Sequence, residues 1–199
     1  MTTRVYVEAG AKKTFASAAG WPGWCRAGKD EAAALAALGA YAPRYAKVAT
    51  LAAIDLPKNA TNFEVVERLK GDATTDFGAP GAEARDEAGA TPKELERLAS
   101  LVDACWKYLD QVRAKAPETL RKGPRGGGRD RDKMYAHVLE SEMGYSRYIG
   151  LRLKEPDRDA MRKAFRNPMA DTKRSAAYIM RRTAWHALDH AWEMEDRIP

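Results

Sequence analysis

The sequence predicts an α+β fold: a small N-terminal α/β domain of β-hairpin, helix and strand, followed by an up-and-down helical bundle. Three observations carry this. Short alternating apolar segments occur only before Gly71. From Thr91 onward, apolar residues recur at three- and four-residue spacing. Between these textures lies a stretch rich in Gly, Ala and acidic residues, which reads as a linker. The expected domains are therefore residues 1–72, a linker at 73–90, and a bundle at 91–199.

The elements follow in order. RVYVEAG alternates and reads as a strand, with KTFASAA as its hairpin partner. Gly20, Pro22, Gly23 and Gly28 then punctuate the chain. Asp30 is placed to cap a helix through the Ala/Leu run Ala32 to Ala42, and Pro43 should kink or divide it. Trp21 and Trp24 flank Pro22 and read as packing residues. Phe63 to Gly71 reads as a further strand; its alternation is imperfect, and a helix is the open alternative. TPKE supplies a capping Thr91, a proline at the first helical position and Glu94 to complete the box. The helix behind it runs to the RKGPRGGGRDR stretch. A second helix is expected from about Asp130 to Lys154, a short one over Asp157–Asn167, and a last one from about Thr172 to Arg197.

Composition narrows the class. The 199 residues are 45% hydrophobic and 31% charged, which excludes collagen-like, disordered and disulfide-dense chains. No apolar run reaches the roughly 20 residues of a membrane span, and the N-terminus lacks a secretion core. A cytoplasmic location without membrane partners is expected. Cys25 and Cys105 form no CxxC pair and read as buried reduced thiols. Lys+Arg exceed Asp+Glu by 34 to 28. Residues 1–90 carry 11 of each, so the whole excess lies beyond Thr91, mostly between Arg113 and Lys133. Three consecutive glycines there indicate a flexible basic loop, a solvated connection or an anion contact. Aromatic interleaving for base stacking is absent, and the neutral first half argues against nucleic acid as its direct partner.

All three histidines of the chain fall in the predicted bundle. His186 and His190 are spaced i, i+4, so both imidazoles leave one helix face. His137 from a facing helix would complete a three-nitrogen site for one metal ion, with a fourth position open as in catalytic zinc sites. The His137 face also carries Met134, Ser141, Gly144, Tyr145, Tyr148 and Leu151. On the last helix, Ala177, Ala184, Trp185, Leu188 and Trp192 form the main apolar arc. His186 and His190 lie off it, near Ile179, Thr183, Glu193 and Arg197, facing either a wet pocket or solvent. Glu193 and Asp189 are candidates to orient an imidazole or act as a general base. Arg181 and Arg182 are candidates to hold a substrate carboxylate or an anionic thiol cofactor. No phosphate-cradling glycine motif or nucleophilic triad spacing appears.

RRTAWHALDHAWEMEDR resembles the C-terminal helix of the DinB-like four-helix-bundle superfamily, and AHVLESEMGYSRYIG resembles its histidine-bearing second helix. The resemblance covers roughly residues 91–199. It implies that His137, His186 and His190 are a metal triad for zinc, nickel or a similar divalent ion, and that a low-molecular-weight thiol and an electrophile are the partners. The activity it implies is a thiol-dependent S-transferase or isomerase. More weakly, the hairpin and WPGWCRAGKDEAAALAAL resemble HicB-like antitoxin domains. That likeness implies a non-enzymatic alternative, in which this half and the basic loop contact RNA or a protein partner. A homodimer is compatible with either reading.

Overall fold

The computed structural model describes residues 2–123 and 128–199, so the centre of the expected basic loop, residues 124–127, lies outside the described residues. The architecture is α+β, with a four-stranded sheet followed by helices. Strands β1 (Thr3–Ala9) and β2 (Thr14–Ala18) form the expected antiparallel hairpin. A short β3 (Cys25–Gly28), absent from the sequence reading, extends it antiparallel to β2. Its four residues, CRAG, are too few to show a period, and only backbone pairing defines the strand. Helices α1 (Glu31–Ala40) and α2 (Ala42–Leu51) follow. Asp30 caps α1, its carboxylate accepting the Ala33 N–H at 2.8 Å. Pro43 stands at the start of α2, where its missing N–H costs nothing, so it divides the two helices. The two helices carry the chain across to β4 (Phe63–Lys70), which joins β1 in parallel. The sheet order is β3-β2-β1-β4.

The expected linker is a packed strap instead. It holds helix α3 (Ala73–Phe77) and a 3-10 turn at Arg85–Glu87. The reason lies in Glu8, a carboxylate on β1 that is 3% exposed. A buried charge is costly unless it is hydrogen-bonded. The strap supplies the donors: the Thr75 hydroxyl at 2.5 Å, and the Gly81 and Ala82 N–H groups at 2.9 Å.

Four helices complete the chain: α4 (Pro92–Lys115), α5 (Arg131–Ser146), α6 (Arg158–Arg166) and α7 (Ala176–Asp196). The Thr91/Glu94 capping box forms at α4. Two expected boundaries move. The second helix stops at Ser146 rather than Lys154, because the chain tightens into a 3-10 turn and Gly150 takes a left-handed conformation, φ +80°. The last helix starts at Ala176 rather than Thr172, where the Ser175 hydroxyl accepts the Tyr178 N–H at 3.2 Å. Among the described residues, no helix is long and apolar enough to cross a membrane.

Residues of both expected domains share one hydrophobic core. Val5, Val7, Trp24, Leu38 and Tyr45 lie in the same cluster as Val102, Leu109, Met134, Leu188 and Trp192. Helix α7 is the shared element. It packs against α4 and α5, and the N-terminal half closes its other side. Phe15 meets Trp185 edge-on, and Tyr41 meets Trp192. Gly23 lets the turn before β3 approach α7 closely. Its φ is +90°, and a Cβ there would lie 2.7 Å from Leu188 Cδ1 and 3.1 Å from the Ala184 carbonyl oxygen. Gly23→Ala should therefore destabilise the whole chain by about 2 kcal/mol or more, combining overpacking with left-handed strain. The check is a urea unfolding midpoint; an unchanged midpoint would contradict this docking.

Candidate metal centre

Helix α5 supplies His137, and α7 supplies His186 and His190. The three rings converge. Their centroids are 4.9 Å apart for His137–His186, 5.2 Å for His137–His190 and 4.7 Å for His186–His190. One nitrogen from each lies within 4.8 Å of the others. The Nε2 atoms of His186 and His190 are 3.1 Å apart. Two nitrogens bound at roughly 2.0–2.1 Å to one tetrahedral zinc would be about 3.3 Å apart. The pair thus stands close to ligand spacing.

Glu193 orients His190. Its Oε2 lies 3.0 Å from His190 Nδ1; a carboxylate accepts, so the proton sits on Nδ1, and in the neutral ring Nε2 is then the nitrogen that can ligate. Arg197 holds Glu193 in turn, donating from Nη1 to Oε1 at 2.8 Å. Arg197 also donates to the carbonyls of Arg121 at 2.7 Å and Arg129 at 2.8 Å. It thereby ties both described flanks of the basic stretch to the end of α7. The hydrogen bond from His190, with Arg197 behind it, holds the Glu193 carboxyl below its usual range.

His186 is the buried member, 6% exposed. Burial first, then His190 and His137, push its pKa from 6.5 to about 2. Burial, then Arg129, lowers His137 as well. Both rings are held neutral, the form that ligates metals. The unligated pair is also poorly satisfied. If His186 donates Nε2–H to His190, its buried Nδ1 is left as an acceptor with no partner among the described residues. If it carries the proton on Nδ1 instead, two lone pairs face each other. A divalent cation between the Nε2 atoms removes that conflict, so the donor set fits zinc or nickel.

The other candidates separate. Asp189 turns away from the histidines and pairs with Arg26 at 3.0 Å, and the Arg26 guanidinium lies over Tyr41. It does not meet the triad as a base or an orienting group. Arg181 is also elsewhere: it is buried against Glu87 and donates to the Ala82 carbonyl at 2.7 Å, anchoring the strap. Arg182 does stand beside the centre, over the rings of Tyr145 and Trp185, both of which neighbour His186. Tyr145 lies on the predicted His137 face, so its place was open to the helical wheel. Trp185 was assigned to the apolar arc, and its contact with His186 follows only from the packing around α7. The two cysteines are free and buried, as expected.

Comparison of the chain with protein-family models, curated proteins and solved structures returned no match.

The neutral histidines give stability a pH dependence. Below about pH 6.5 the unfolded chain takes up protons at these rings and the folded chain resists. Their contribution is therefore full above the unfolded pKa and is lost as pH falls toward the folded one. Metal-free protein should show a falling urea midpoint between about pH 7.5 and about pH 5. His186→Leu should lose the part of that slope due to His186; an unchanged slope would show that the ring titrates freely.

Proposed function

We propose that this protein binds one divalent metal, zinc or nickel, on His137, His186 and His190, and uses it in chemistry on small molecules. The observation that carries the reading is the convergence of three imidazoles from two helices, one of them backed by a carboxylate. A divalent ion held by three nitrogens acts as a Lewis acid that acidifies a thiol or water at its open position. The residues around it have separate tasks. Glu193 holds the proton on His190 Nδ1 and so directs Nε2 inward. Arg197 holds Glu193 in place. Burial of His186 keeps bulk water from one side of the centre. Asp189 is assigned no part.

The DinB-like resemblance of the two histidine helices supports a thiol as the activated group and S-transfer to an electrophile as the reaction class. The open fourth position suits either a thiol or a water.

The test is elemental analysis of protein purified without a histidine tag, with and without added zinc or nickel. About one metal per chain is expected, with loss in His137→Ala and in His186→Ala. Glu193→Gln should retain the fold and weaken affinity by about 10- to 100-fold. Asp189→Asn should bind metal like the wild type. No metal uptake by the wild type would overturn the proposal.

A further inference from the structure

Arg182 stands one helical turn before His186 on the same face of α7. A cleft of about 160 Å³ opens there, lined by Tyr145, Tyr148, Tyr178, Arg174, Arg182 and Asp72 among others. Most of its polar groups are already engaged. Arg174 pairs with Glu83 at 3.3 Å. The Asp72 carboxylate accepts the N–H groups of Thr74 and Thr75 at the start of α3. The Tyr178 hydroxyl donates to the Gly81 carbonyl at 2.7 Å.

Arg182 differs. Its one hydrogen bond goes to the Pro80 carbonyl, and no carboxylate lies within ion-pair distance among the described residues. Its guanidinium stacks 5.2 Å from the Tyr145 ring centroid and 5.9 Å from that of Trp185. Stacking fixes the plane and leaves the N–H edge for a bidentate acceptor. The Tyr145 and Tyr148 hydroxyls make no hydrogen bond among the described residues, and the Tyr148 side chain is 46% exposed. Tyr145 is the shared wall: its other neighbour is the His186 ring, 5.9 Å away. At the far end of the histidine stripe, Arg197 is held by a carboxylate and two carbonyls. At the other end, Arg182 has no direct carboxylate partner among the described residues, and Asp72 shares its cleft. The cleft is smaller than the roughly 300 Å³ of whole-ligand pockets, so it suits a head group.

We propose that this cleft is the carboxylate subsite of the metal centre. Arg182, with the Tyr145 and Tyr148 hydroxyls, holds the carboxylate of a small thiol whose sulfur end reaches the histidines. The proposal rests on the metal reading above and adds the substrate class: a carboxylate-bearing thiol rather than a neutral one.

The experiment uses cobalt(II)-loaded full-length protein, titrated with mercaptopropionate and with mercaptoethanol. Binding is read from the sulfur-to-cobalt absorption band. Mercaptopropionate should bind about 10-fold more tightly or better. Arg182→Gln should keep its cobalt and bring the two thiols within about 2-fold of each other. Tyr148→Phe alters only an exposed hydroxyl and should narrow the gap several-fold; it decides the matter if Arg182→Gln does not fold. Equal binding by the wild type, or a gap that persists in both variants, overturns the subsite and leaves the metal centre standing. No cobalt uptake by the wild type overturns both.

Discussion

The structure depends on one constraint: α7 is buried on almost every side and still carries charge. It packs against α4 and α5, and the N-terminal half closes over its remaining face. A helix in that position is expected to be apolar all round. This one holds Arg181, Arg182, His186, His190 and Glu193 along its length, with Arg197 at its C-cap. Each needs a partner, a neutral form or an opening. Much of the irregular structure serves that need. The strap brings Glu87 to Arg181 and the Pro80 carbonyl to Arg182. The flanks of the glycine stretch bring two carbonyls to Arg197.

The same logic operates away from α7. Glu142 on α5 is 2% exposed and receives the Trp106 indole N–H at 2.7 Å and two bonds from Arg158, at 3.0 and 3.1 Å. That network joins α4, α5 and α6. Burial raises the Glu142 pKa and its arginine partner opposes the shift. Such a pair is weak evidence for net stability, because desolvation offsets much of the attraction. Its effect is positional: it sets α6 against α4 and α5, on the face where Phe165 stacks on Trp106.

What the sequence made legible was local. Asp30, the Thr91/Glu94 box and Pro43 act within a few residues, and each does what its chemistry implies. The histidine pair was legible for the same reason, since i, i+4 spacing fixes a shared face. His137 followed because the chain has no other histidine. Long-range pairing was not legible. Glu87 and Arg181 lie 94 positions apart, and neither residue marks the other. That is why 73–90 read as a linker and Arg181 as a substrate ligand. The helical wheel placed the histidines off the apolar arc, leaving pocket or solvent open. It had no means to show that the sheet domain buries that helix from the far side.

Satisfaction of buried polar groups varies along this helix, and Trp192 Nε1 and Arg197 Nη2 are also without partners among the described residues. Arg181 is buried and matched by a carboxylate and a carbonyl, and it holds the strap. Arg197 is buried, and its Nε and Nη1 have partners that hold the stretch before α5. His186 Nδ1 and Thr183 Oγ1 lie three positions apart on α7, and neither has a partner among the described residues. Three imidazoles in contact contribute less to packing than three leucines would, since their nitrogens must be desolvated. On the proposed function, a cation between the rings would use those nitrogens. Glu193 reaches back to His190 as well as forming its ion pair with Arg197. The carboxylate is positioned to hold the proton on Nδ1, the tautomer that the proposed metal would require of Nε2.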